Sequence, residues 1–218
     1  AGMIELTSGD TLFIDEGAVV YGCVKAFDAE NIKIIGRGIL DNSKNKEVIL
    51  FEMNAENNHE AINNASREHT VVLEYCTNVE IDGIFAEDCH SAVRMLTVKH
   101  ALEKINIRNV YGTYYQYVVG FTRFHNYDGE GYFDAITLDK IYASKAVRHS
   151  VYCKEGMYVF PIIFMESGVY LKNVKVSNLH RREENTSVYT IGLKKDVKTE
   201  QLILDNVTTE NGTGEQMP

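Results

Sequence analysis

The chain lacks tryptophan and has only two prolines, and its four cysteines form no C-x-x-C pair. That cysteine spacing excludes the common zinc and dithiol motifs. Cys23, Cys76, Cys89 and Cys153 each sit in or beside an apolar run and read as small core hydrophobes. No apolar run approaches the roughly 18 residues that a membrane-spanning helix needs. The opening Ala1-Gly2-Met3 has neither the basic flank nor the apolar stretch of a signal peptide. Basic residues are also scarce: 22 Lys and Arg face 31 Asp and Glu, for a net charge of -9. Nucleic acid and anionic membranes need clustered cations to displace counterions, so neither is an expected partner. No linker-like stretch divides the 218 residues, and one domain over 1–218 is expected.

Helical periodicity is missing too; short runs of alternating apolar residues take its place. One template recurs: apolar, any, apolar, any, Gly or Asn, apolar. It begins at Ile32 in a shortened form, and then at Val79, Ile105, Ile136, Val169 and Leu202. The last five starts are spaced by 26, 31, 33 and 33 residues, which is the signature of a repeat architecture. The fifth position suits a sharp bend. Gly36 and Gly83 accept positive φ, and Asn109, Asn173 and Asn206 are the next best choices, whereas Lys140 breaks the pattern. Stacked asparagines can exchange amide hydrogen bonds from rung to rung.

Further β-rich runs at Val71–Tyr75, Val93–Val98, Tyr117–Phe124, Val159–Met165 and Val188–Leu193 give each repeat at least two strands. Strands coiled into rungs, each paired in parallel with the next, fit this pattern: an all-β parallel β-helix. An antiparallel sandwich would need hairpin turns, and the only Asn-Gly is Asn211-Gly212 near the end. Residues 41–70 are polar and read as a long loop insertion. The sixth template is followed by no second strand, so the expectation is that the natural protein continues or that a partner, a second copy or a further chain, covers that end.

Glu16-Gly17-Ala18-Val19-Val20-Tyr21-Gly22, followed by residues Asn31 to Ser43, resembles the entry rungs of family 28 glycoside hydrolases, the polygalacturonase group. The rungs beginning at Asn78 and Ile105 look like later coils of that family. The resemblance implies a right-handed parallel β-helix, inverting hydrolysis of a polysaccharide, and a secreted or cell-surface location. The family's Asn-Thr-Asp, Asp-Asp, Gly-His-Gly and Arg-x-Lys motifs do not occur in this sequence. No catalytic residue is therefore carried over.

Three clusters are left to carry chemistry. Glu87-Asp88-Cys89-His90 with Arg94 combines a carboxylate, an imidazole and a guanidinium, with Asp88 and His90 as the acid–base candidates. Arg123, His125, Asp128, Glu130 and Asp134 lie one repeat further on. There Asp128 and Asp134 are catalytic candidates, His125 is a substrate contact, and Arg123 is expected to stack beside Arg94. Their carboxylates do not follow an EF-hand spacing, and no metal or cofactor is expected. His180-Arg181-Arg182-Glu183-Glu184 offers Arg181 as a bidentate partner for a uronate. Tyr111, Tyr114, Tyr115 and Tyr117 crowd one turn, and Tyr115 is taken as the sugar contact. A solvated turn, a plain polar loop and a solvated charge run are the bland alternatives for the three clusters. Two functions are left open: a carbohydrate-active enzyme resembling a glycoside hydrolase, or a carbohydrate-binding or structural β-helix without catalysis.

Overall fold

A computed structural model describes residues 2–43, 69–123, 129–146, 161–181 and 189–210, with backbone alone at 87–90, 113, 115, 116 and 143–146. The described residues form fourteen strands, and every pairing between them is parallel. The strands are β1 (Gly2–Leu6), β2 (Thr11–Ile14), β3 (Val19–Phe27), β4 (Glu30–Gly36), β5 (Ile39–Asp41), β6 (Val71–Glu74) and β7 (Thr77–Asp82). They continue as β8 (Phe85–Thr97), β9 (Leu102–Arg123), β10 (Phe133–Ala146), β11 (Ile163–Met165), β12 (Tyr170–Arg181), β13 (Ile191–Leu193) and β14 (Lys198–Thr209).

Their register sorts them onto three faces of a coil. The first face stacks β2, β4, β7, the start of β9, and then β10, β12 and β14. The second runs from the start of β3 through β5 and the start of β8 to the middle of β9 and the ends of β10, β12 and β14. The third stacks β1, the end of β3, β6, the end of β8, the end of β9, β11 and β13. Consecutive parallel strands joined by crossovers coil right-handed, so the architecture is a right-handed parallel β-helix.

Two inward columns on the first face explain why these segments are strands. One is Ile32, Val79, Ile105, Ile136, Val174 and Leu202; the other includes Ile34, Ile81, Ile107, Leu138 and Val176. Except at the last rung these side chains are essentially buried. Each contributes about 1.5–3 kcal/mol of apolar burial, and β-branched shapes suit a pleated surface. In the last rung Leu204 continues the second column, yet it is 51% exposed.

The bends hold as a stacked column, with one correction. Gly36, Gly83, Asn109, Lys140, Asn178 and Asn206 all take positive φ and follow one another in register. Lys140, which breaks the template by type, adopts φ 52 with its neighbours. The fifth copy starts at Val174 and not at Val169, because Ile136 pairs with Val174 and Val174 with Leu202. Val174-Lys175-Val176-Ser177-Asn178-Leu179 fits the template as well as the earlier window, and the register selects it. A side chain at Gly36 would meet the Ile14 carbonyl at 2.0 Å, so that rung admits only glycine. The expected asparagine ladder forms only in part. In the bend column Asn206 donates to Asn178 at 2.8 Å, whereas Asn109 donates to Asp82 and Asn173 to Asp134. A further amide pair, Asn78 to Asn31 at 2.6 Å, stands in another column.

The predicted insertion at 41–70 falls between β5 and β6. Its ends are ordered parts of the coil: Asp41 closes β5, while His69 and Thr70 are buried beside β8. Cys23 and Cys76 are buried, as the sequence implies, and desolvation pushes the Cys76 thiol up to about 11. No helix among the described residues is long and apolar enough to cross a membrane.

Candidate functional site

The candidate residues divide between a buried network and an exposed edge. Arg94 stands on the third face in the outward row Lys25, Val72, Arg94, Gly120, Phe164 and Gly192. Its Nη1 donates to His69 Nε2 at 2.7 Å, and its Nε donates to Thr122 Oγ1 at 3.1 Å. Arginine can only donate, so His69 Nε2 is the acceptor. The other ring nitrogen then carries the proton and donates to Ser91 Oγ, 2.5 Å away. His69 and Ser91 are fully buried. This tautomer excludes a serine nucleophile activated by His69, because the ring has no lone pair left to take the hydroxyl proton. The ring also stacks on Tyr117 at 6.3 Å.

Tyr117 lies across Gly120, where an added Cβ would come within 2.2 Å of its ring. The same face carries Glu74, 2% exposed, with Oε2 lacking a hydrogen-bond partner among the described residues. Burial pushes its carboxyl up to about 7, against the opposing pull of Lys25. From β6 onward the third face is largely buried on its outward rows as well as its inward ones: Val72, Leu96, Thr122 and Phe164 are all buried there, and Arg94 is half-buried.

Arg123 does not stack beside Arg94. The register sets Arg94 opposite Gly120 and Arg123 opposite Thr97. Arg123 instead donates to the carbonyls of Gly168, at 3.1 Å, and Gly129. Arg181 falls in an inward row of the second face and is 5% exposed, and desolvation lowers the pKa of its guanidinium. Tyr114 and Tyr117 are core residues, which divides the predicted tyrosine cluster. Tyr111 remains outside, stacked on Phe85 at 4.6 Å. The side chains of Asp88, His90 and Tyr115, and the whole of His125 and Asp128, lie outside the described residues.

Asp134 is the one catalytic candidate whose surroundings are visible, and they form a site that the sequence does not disclose. At the leading edge of the first face, register aligns an outward column of Glu30, Thr77, Glu103, Asp134, Lys172 and Glu200. Two residues earlier a second outward column includes Tyr132, Tyr170 and Lys198. The Tyr132 hydroxyl donates to Glu103 Oε1 at 2.9 Å, and that of Tyr170 donates to Glu200. Asn173 Nδ2 donates to Asp134 Oδ1 at 2.6 Å. These hydrogen bonds to carboxylates hold both phenols above their ordinary range and hence neutral. The two rings meet edge to face at 6.4 Å, and Lys172 Nζ lies 3.5 Å from the Tyr132 centroid. The arrangement offers ring surface, phenolic oxygens and carboxylate acceptors side by side on a half-exposed edge. Among the described residues no group of three or more His, Cys, Asp or Glu is arranged to hold a metal ion.

No family model matches the chain, and no curated protein matches it. Among solved structures the chain is distantly similar to one described as a "putative glycosyl hydrolase" from Parabacteroides merdae ATCC 43184. The identity is 19%, covering 97% of this chain and 79% of that one, with a TM-score of 0.49. It is also similar to polygalacturonase from Erwinia carotovora ssp. carotovora, at 12% identity over 100% of this chain and 86% of that one, with a TM-score of 0.37. At these identities no residue role passes from either protein to this chain.

Proposed function

We propose that this β-helix is carbohydrate-active and holds an extended polysaccharide along the tyrosine-lined edge of its first face. The observation that carries this reading is the Tyr132–Tyr170 pair, set beside Glu103 and Asp134 on adjacent rungs and Glu200 two rungs further on. Aromatic faces take the apolar side of a sugar ring, and carboxylates accept from its hydroxyls. A linear glycan running along the coil axis meets an equivalent rung about every 4.8 Å. On this reading the protein works where polysaccharide is met, secreted or at the cell surface. Calorimetric titration with a panel of soluble glycans tests it. Binding that disappears in the Tyr132→Ala/Tyr170→Ala double variant supports the proposal; binding that survives the double variant removes it.

A second reading adds hydrolysis. Glu103 and Asp134 are register partners on adjacent rungs, so two carboxylates stand about one 4.8 Å rung apart. Retaining glycosidases hold their carboxyl pair about 5–5.5 Å apart, inverting ones about 6.5–9.5 Å. The neighbouring-rung placement suits the retaining geometry better than the inverting one. Release of reducing ends from the bound glycan, abolished by Glu103→Gln, is the expected result. Binding without release leaves the chain a carbohydrate-binding β-helix.

A further inference from the structure

Two independent features of the chain bear on the charge of its ligand. Recognition of a polyuronate relies on cationic groups presented to its carboxylates, most effectively an arginine fork. The three arginines that the sequence offers for this task are engaged within the protein itself, Arg94 and Arg123 half-buried and Arg181 buried. Arg94 is committed to His69 and Thr122, Arg123 to two backbone carbonyls, and Arg181 is buried in an inward row.

The tyrosine edge, meanwhile, is flanked by Glu103 and Asp134 on adjacent rungs and by Glu200 two rungs beyond, with Lys172 on the rung between. Its nearest cation, Lys172, lies over the Tyr132 ring, and Lys198 stands one rung beyond Tyr170. The adjacent carboxylates of Glu103 and Asp134, with Glu200 further along, outnumber Lys172 in the column and repel a line of carboxylates laid against them. The chain's net charge of -9 adds to that field.

We infer that the glycan taken by the Tyr132–Tyr170 edge carries no carboxylates: the edge selects a neutral polysaccharide and rejects polyuronates. This rests on the proposed glycan-binding function and narrows its ligand. Neutral sugars lose nothing to the acidic column, and their hydroxyls find acceptors there. For a uronate the same oxygens become repulsive. The selectivity is electrostatic, and salt weakens it.

The test titrates the full chain with neutral galactan, xylan, mannan and β-glucan, and separately with polygalacturonate and alginate, at low and at high salt. The expected result is a neutral glycan bound at least roughly tenfold more tightly than either polyuronate at low salt, with the ratio shrinking as salt rises. Glu103→Gln combined with Asp134→Asn should shrink the same ratio at low salt. Polyuronate binding equal to or tighter than neutral binding at low salt overturns the inference while leaving glycan binding intact. A ratio that ignores both salt and the double variant also overturns it, since the discrimination then has another origin. Failure of every glycan to bind overturns the proposed function and this inference together.

Discussion

Two arginines on different faces of the coil show what separates its two polar regions. Arg108, on the first face, pairs with Glu80 at 2.7 Å and Asp82 at 2.9 Å, and its side chain is 41% exposed. Arg94, on the third face, makes bonds of similar length to His69 and Thr122, both of which are buried. The first is one link in an exposed cluster that continues through Lys33–Glu80, and Lys175–Asp205 is a separate exposed pair on the same face. The second holds a buried imidazole in one tautomer. Exposed ion pairs are worth little because water and salt screen them, whereas a buried group deprived of its partner bears the full desolvation cost. The third face thus uses its polar groups to hold structure. The first face leaves its carboxylates and tyrosines available to a ligand.

The largest effect that sharpens this contrast belongs to Glu74. Its folded-state carboxyl binds a proton more tightly than the unfolded one, since burial raises it from 4.5 to about 7. The stability it contributes is fully present below the unfolded value and is lost as pH rises through about 7. The loss is on the order of 3 kcal/mol at one pKa unit per 1.36 kcal/mol. Urea midpoints measured between pH 4 and pH 8 should fall for the wild type, and Glu74→Gln should flatten that part of the profile. An identical pH dependence in both proteins removes Glu74 as its source.

Next comes Arg94→Ala, which deprives the buried His69 Nε2 of its donor and should destabilise the chain by about 1–3 kcal/mol. Chemical denaturation checks this. A change within experimental error would contradict a structural role for Arg94. Arg108→Ala is the smallest effect, about 0.2–1 kcal/mol and reduced further by added salt. If Arg108→Ala costs as much as Arg94→Ala, the distinction between the two faces fails.

The coil itself was legible, because the template and its bends are local: two apolar positions and a residue that tolerates positive φ. The fifth copy slipped by five residues because Val169–Val174 and Val174–Leu179 both satisfy the pattern. Only pairing with Ile136 and Leu202 separates them. Lys140 shows the converse, a residue type unsuited to the bend that is carried into it by the rungs on either side. The site was far less legible. Tyr132 and Tyr170 are separated by a whole coil and become neighbours through register alone, as do Glu103 and Asp134. His69 sits at the end of a polar stretch that reads as loop, and its partners Ser91 and Arg94 belong to the following rung. Arg94 and Arg123 share a template position by eye. The register sets them three residues out of step.

The account's central claim is that ligand meets the exposed tyrosine edge and that the arginine-bearing third face serves the fold. Calorimetric titration of one neutral glycan against the wild type, Tyr132→Ala/Tyr170→Ala and Arg94→Ala tests it in a single experiment. The account predicts that the tyrosine variant stays folded and loses binding, while the folded fraction of Arg94→Ala binds as the wild type does. Undiminished binding by the tyrosine variant, with binding lost in folded Arg94→Ala, would contradict it.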